Sequence, residues 1–108
     1  MDVEFKQANG VLVVTPRINR LDAQAAAAFR GAVGERLQGA RLVVVSLAHI
    51  TFIDSSGLAA LISVLKRVPA GGQLRLAQPN SAVRSLLALT RLEKVLPSFD
   101  TVELALAG

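Results

Sequence analysis

Apolar and polar side chains alternate through Val3-Glu4-Phe5-Lys6-Gln7, and after Asn9-Gly10 an apolar run resumes from Val11 to Thr15. Period-two patterning on both sides of an Asn-Gly pair predicts an antiparallel hairpin at the start of the chain. Pro16 interrupts, and Arg17 to Leu21 reads as a loop that ends at Asp22, a residue suited to capping a helix. Ala25, Ala26, Phe29, Val33 and Leu37 then keep helical spacing up to Gly39, which predicts a first helix from about Ala23 to Gln38.

The short β-branched run Leu42-Val43-Val44-Val45-Ser46-Leu47 predicts a buried strand. Downstream, Leu58, Leu61, Ile62 and Leu65 recur at i, i+3, i+4 and i+7, which is one apolar helical face. Asp54-Ser55-Ser56-Gly57 therefore stands where this second helix begins. Pro69-Ala70-Gly71-Gly72 marks a turn, and Gln73-Leu74-Arg75-Leu76-Ala77 alternates as a strand with its leucines inward. A third helix is expected from Asn80-Ser81 with Val83, Leu86 and Leu87 on its inner face. An edge strand around Val95-Leu96 and a C-terminal helix opened by a capping box from Asp100 to Glu103 complete the pattern.

The predicted order is β-β-α-β-α-β-α-β-α. Strands alternating with helices imply an α/β fold: a small mixed, mostly parallel sheet with about four helices, right-handed crossovers and an opening hairpin. No repeat, low-complexity tract or linker divides the chain, so residues 1–108 are expected to form a single domain.

Composition narrows the functions available. There is no cysteine and only one histidine, His49, and the carboxylates lack ligand-like spacing, so no metal site or cofactor is expected. The net charge is +4, but the basic residues are scattered and the four phenylalanines sit in no basic-aromatic motif, so nucleic acid is not the expected partner. The N-terminus lacks a secretory pattern and no apolar run is long enough to span a bilayer, so a cytoplasmic protein without membrane association is expected. Nothing in the composition requires more than a monomer when the protein is free.

Asp54-Ser55-Ser56-Gly57 is the most informative segment. The first N–H groups of a helix lack partners and carry the positive end of its dipole, so an added phosphate on Ser55 or Ser56 is favoured there. A nucleophile elbow needs glycine on both sides of its serine, whereas Ser55 follows Ile53-Asp54, and His49 is too near in sequence to be the usual base. No catalytic residue is expected. Asp22 and Asp54 both follow strands expected to be neighbours, at the carboxyl ends where such folds bind ligands and partners, although each is also a plain N-cap. On the second helix, Ala60, Ser63 and Arg67, flanked by Ala59 and Val64, form a small, weakly polar outer face that a partner could cover.

Phe52-Ile53-Asp54-Ser55-Ser56-Gly57-Leu58, between a hydrophobic strand and an amphipathic helix, resembles the signature of STAS domains, specifically the bacterial anti-sigma factor antagonists. Leu21-Asp22 before an Ala-rich helix resembles the family's second motif. The resemblance implies a STAS fold and a partner-switching regulator of transcription. Its unphosphorylated form binds an anti-sigma factor that is also a GHKL-type serine kinase and so frees the client; phosphorylation of Ser55 ends binding, and a PP2C-type phosphatase restores it. Carried over residue by residue, Ser55 is the phosphoacceptor, Asp22 and Asp54 are polar contacts, Ser56 and Gly57 shape the helix start, and Ala60, Ser63 and Arg67 form partner surface. Relatives often have glycine shortly before the Leu-Asp pair. Here Asn19 stands instead, within Pro16-Arg17-Ile18-Asn19-Arg20, and its tolerance of a left-handed backbone is expected to preserve the turn, while the basic neighbours alter partner choice.

Two other readings keep the residues but change the role. One is a constitutive STAS subunit bound to a transporter ATPase of the lipid-transport type, whose members resemble Asp-Ser-Ala-Gly more than Asp-Ser-Ser-Gly. The other is a small α/β enzyme with Ser55 as nucleophile, which lacks both base and glycine frame.

Overall fold

The computed structural model describes residues 1–108. Strands β1 (Val3–Ala8) and β2 (Val11–Pro16) form the expected hairpin, its turn made by Asn9 and Gly10 at φ of 54° and 78°. Two successive positive φ angles match the right-handed twist of the flanking strands, which is why Asn-Gly occupies this turn. A two-residue strand β3 (Arg20–Leu21) leads into α1 (Ala23–Gly34), followed by β4 (Leu42–Ser46), a second two-residue strand β5 (Phe52–Ile53) and α2 (Ser55–Arg67). After β6 (Gln73–Ala77) come α3 (Ser81–Leu89), a 3-10 turn at Leu92–Lys94, β7 (Ser98–Phe99) and α4 (Val102–Ala107).

The main sheet has five strands in the order β1-β2-β4-β6-β7. Only β1–β2 is antiparallel; β2–β4, β4–β6 and β6–β7 are parallel. Every residue of β4 is buried, because the strand is central and covered on both sides. Val43 and Val45, with Leu12, Val14, Leu74 and Leu76, join Phe29, Val33, Leu61, Val64, Val83 and Leu87 in the larger core under α1, α2 and α3. Leu42 and Val44 turn to the opposite face and pack with Ala77 and Ala105 under α4. The unbroken valine run thus serves two apolar layers at once. No helix is long and apolar enough to cross a membrane.

Several expectations are corrected. The first helix ends at Gly34 rather than Gln38: Arg36 and Leu37 donate to Val33 and Gly34 through tighter i to i−3 bonds, yet Leu37 still points inward, 3% exposed. The last strand is Ser98–Phe99, not Val95–Leu96, whose N–H groups are both taken by the Leu92 carbonyl of the preceding 3-10 turn. The C-terminal helix is capped by Thr101, whose Oγ1 accepts from the Leu104 N–H at 3.0 Å, while Asp100 pairs with Arg84 at 3.0 Å. Asn19 is not left-handed, since positive φ outside glycine occurs only at Asn9, Gln78 and Arg91. Its carbonyl instead accepts from the Thr51 and Phe52 N–H groups at 2.8 and 3.3 Å and from Thr51 Oγ1 at 3.0 Å. That cluster of bonds begins the second, two-stranded sheet, β3 with β5, within a segment that reads as loop in the sequence.

Candidate functional site

The β3–β5 ribbon builds the site. Its strands run parallel with Arg20 opposite Phe52 and Leu21 opposite Ile53, and each ends in an aspartate that caps a helix. Leu21 and Ile53 are buried, 0% and 5% exposed, and anchor the ribbon in the core. Asp22 Oδ1 accepts from the N–H groups of Gln24 and Ala25 at 3.1 and 3.3 Å, and Asp54 Oδ1 accepts from Gly57 at 2.9 Å. The Asp54 N–H in turn donates to the Leu21 carbonyl at 3.4 Å, tying one cap to the other strand. The two aspartates expected on neighbouring strands are therefore side by side. The strands that carry them belong to the small ribbon and not to the main sheet.

Ser55 is the first residue of α2 and is exposed; Ser56 is half-buried and Gly57 is buried. A Cβ at Gly57 would collide with the Leu21 carbonyl and approach the Ile53 side chain to 2.8 Å, so only glycine lets the first turn of α2 press onto β3. Gly57 thereby sets how closely the helix turn that carries Ser55 approaches β3. On the other side of the corner, Asn80 donates from Nδ2 to the Thr51 carbonyl at 3.1 Å while its Oδ1 caps α3 through the Val83 N–H at 2.8 Å. Thr51, Phe52 and Ile53 with Ala82, Val83 and Leu86 line a shallow, mainly apolar cleft between β5 and α3.

One part of the expected partner surface is overturned. Ala60 is 0% exposed, and so is Val64, because this side of α2 packs against α1. Small side chains let the two helix backbones approach, and the weakly polar stripe is the seam between helices of one chain. Arg67 closes the far end of that seam: its Nη1 donates to the Arg30 carbonyl at 3.5 Å and its guanidinium occupies the space a Cβ on Gly34 would need. Ser63 is half-buried at the edge. The exposed stripe of α2 runs instead through Ser55, Ala59 and Lys66, about a quarter turn away, with Ile62 half-buried beside it and packed on the core. Arg67, though exposed, lies about 18 Å along the helix from Ser55, at 1.5 Å per residue.

What the sequence reading of the corner missed is the contact between Arg20 and Phe52. The Arg20 guanidinium lies 4.2 Å above the centre of the Phe52 ring, and Arg20 Nε is 3.4 Å from Asp22 Oδ2. Phe52 is 40% exposed, unusual for a phenylalanine. The signal was present as the alternation Arg20-x-Asp22 and Phe52-x-Asp54, which places all four side chains on the ribbon face opposite Leu21 and Ile53.

A short parallel ribbon whose strands feed two aspartate-capped helices, appended to a five-stranded mixed sheet, defines a small mixed α/β domain. The STAS domain model matches residues 2–105, and the chain belongs to the STAS domain family. It is 30% identical over 104 residues to the anti-sigma F factor antagonist of Paenibacillus polymyxa, an alignment covering 93% of this chain and 87% of that one. The crystal structure of a candidate anti-sigma factor antagonist from Thermotoga maritima matches with a TM-score of 0.89 at 26% identity, covering 97% of this chain and 92% of that one. The phosphorylated form of the Bacillus cell fate determinant SpoIIAA shares the fold, with a TM-score of 0.72 at 17% identity and coverage of 98% and 97%.

Proposed function

We propose that this protein is an anti-sigma factor antagonist that works by partner switching, with Ser55 as the switch. The unphosphorylated chain binds an anti-sigma factor that is also a GHKL-type serine kinase, and so releases its client. The kinase passes the γ-phosphoryl group of ATP to Ser55 Oγ, with ADP as leaving group and the hydroxyl proton taken up by the kinase. A PP2C-type phosphatase then uses water to release inorganic phosphate and regenerate the hydroxyl.

The observation that carries this reading is an exposed hydroxyl at the first position of α2, in a corner shared with two capping aspartates. The names of the relatives agree with it, and SpoIIAA is known in a phosphorylated form. Phosphate adds about −1.5 to −2 charges at pH 7, which a helix N-terminus tolerates in the free domain. Inside a packed interface beside Asp54 the same charge meets desolvation and repulsion, and a loss of about 3 kcal/mol weakens binding more than a hundredfold.

The test is to incubate the purified chain with ATP and lysate of its own cells and map phosphate by mass spectrometry, beside Ser55→Ala. Phosphate on Ser55, absent from the folded variant, supports the switch. No phosphate at Ser55, in a lysate where the kinase is shown to be active, favours the constitutive subunit of a transporter ATPase.

A further inference from the structure

The outer face of the β3–β5 ribbon carries two carboxylates and one guanidinium. Asp22 and Asp54 each commit one oxygen to a helix cap, and Arg20 spans Asp22 Oδ2 and the Phe52 ring. Arg20 and Asp54 are diagonal neighbours across the ribbon, by the pairing of Arg20 with Phe52. Asp54 thus lies one side-chain repeat beyond Phe52 on the strand that Arg20 faces. Ser55 directly follows Asp54 and is exposed, so a phosphate on it would be carried at the end of the strand that pairs with Arg20. No other basic side chain is committed to this corner: Arg17 pairs with Glu4 on β1 at 3.3 Å, and Lys66 and Arg67 lie at the other end of α2.

We propose that Arg20 receives the phosphate of phosphorylated Ser55, leaving Asp22 Oδ2 for the phosphate oxygens while the Phe52 ring stays beneath it. This deepens the reading of Ser55 as phosphoacceptor and rests on it. A planar guanidinium presents paired donors that fit phosphate, and stacking on an aromatic face orders it in advance. A phosphate with nearly two charges and three acceptor oxygens competes well against a single 3.4 Å contact to a carboxylate. Modification of α2 is then also felt at the start of α1, because Asp22 loses its counter-charge. Phosphorylation would thus alter two candidate contact residues together, and Arg20 would set how firmly the modified state is held.

The experiment uses the full chain with phosphoserine installed at position 55 during translation, so that no kinase is needed. The ³¹P resonance is titrated for the wild type, Arg20→Gln and Arg20→Lys, with His49 and both aspartates present in all three. Loss of the guanidinium is expected to raise the second phosphate pKa by about half a unit, with lysine restoring part of the difference. The Phe52 ring resonances should move on phosphorylation in the wild type. Phosphoserine at the exposed Ser85 of α3 serves as the control and should not respond to Arg20→Gln. A change below about 0.2 units at position 55 in both Arg20 variants, or an equal change at position 85, overturns the proposal. Because phosphate is installed directly, such a failure leaves the Ser55 switch standing, whereas absence of phosphate on Ser55 in the lysate experiment counts against the switch alone.

Discussion

Gly57 rests directly on the carbonyl of Leu21, where a Cβ would overlap the oxygen. A backbone carbonyl in a ribbon cannot move aside as a flexible side-chain end can. Gly57→Ala is therefore expected to lower stability by about 1–3 kcal/mol through overpacking, read as a lower midpoint in urea with an unchanged slope. The displaced first turn should also weaken partner binding in whatever fraction remains folded.

Ser55 itself contributes little to the fold. Ser55→Ala is expected to stay within about 0.5 kcal/mol of the wild type in chemical denaturation, as for an exposed surface position. If the proposed switch operates, this variant should accept no phosphate and remain bound to the proposed kinase. Ser55→Asp should also fold normally, and titration calorimetry against the kinase should show clearly weaker binding.

The two aspartate caps can be separated from any contact role by their stability cost. Asp22→Ala and Asp54→Ala are each expected to cost about 1 kcal/mol, whereas asparagine at either position retains most of the cap. If Asp22→Asn and Asp54→Asn keep their stability yet bind the kinase less tightly, the carboxylate charge is used by the partner. Equal binding by the asparagine variants would leave only the capping role.

Adjacent alanines on α2 give opposite outcomes. Ala60→Leu forces a larger side chain into the seam with α1 and is expected to cost about 1–3 kcal/mol. Ala59→Leu, on the exposed stripe with Ser55, is expected to change stability by less than about 0.5 kcal/mol. If the exposed stripe faces the proposed kinase, Ala59→Arg should weaken that binding while the circular dichroism spectrum stays native.

At the C-terminal helix, Thr101→Ala should cost about 1 kcal/mol by removing the side-chain cap of α4. Asp100→Ala removes only an exposed ion pair with Arg84, for which about 0–0.5 kcal/mol is expected. Thermal melts of the two variants distinguish the real cap from its neighbour.

Long periodic segments were readable from the sequence because their patterns reflect burial itself. The hairpin at Asn9-Gly10, the buried β4, the alternation of β6 and the inner faces of α2 and α3 all follow from which side chains must avoid water. The ribbon was not readable, since two residues are too few to establish a period and its strands pair across a separation that only the folded chain closes. The Val95-Leu96 assignment failed for a related reason: apolar character marks Leu96 as buried without saying whether its N–H serves a strand or a turn. Ser55, Asp22, Asp54 and Gly57, named from motif and position, are brought to one corner by the fold. The stripe through Ala60 was misplaced because a small, uncharged helix face looks the same whether its cover comes from another protein or from α1. The stacking of Arg20 on Phe52 was not foreseen, because the two residues are far apart in sequence and meet only through the ribbon's register.

The register of the ribbon makes its two corners counterparts. Arg20-Leu21-Asp22-Ala23 and Phe52-Ile53-Asp54-Ser55 follow one plan: an outward residue, a buried aliphatic, a capping aspartate and the first helical position. What differs at the fourth place is a single oxygen, present on Ser55 and missing from Ala23. On the proposed switch, the site of modification is thus separable from the architecture that presents it. Removing or adding that one hydroxyl would make the two corners alike in side chain as they already are in backbone plan.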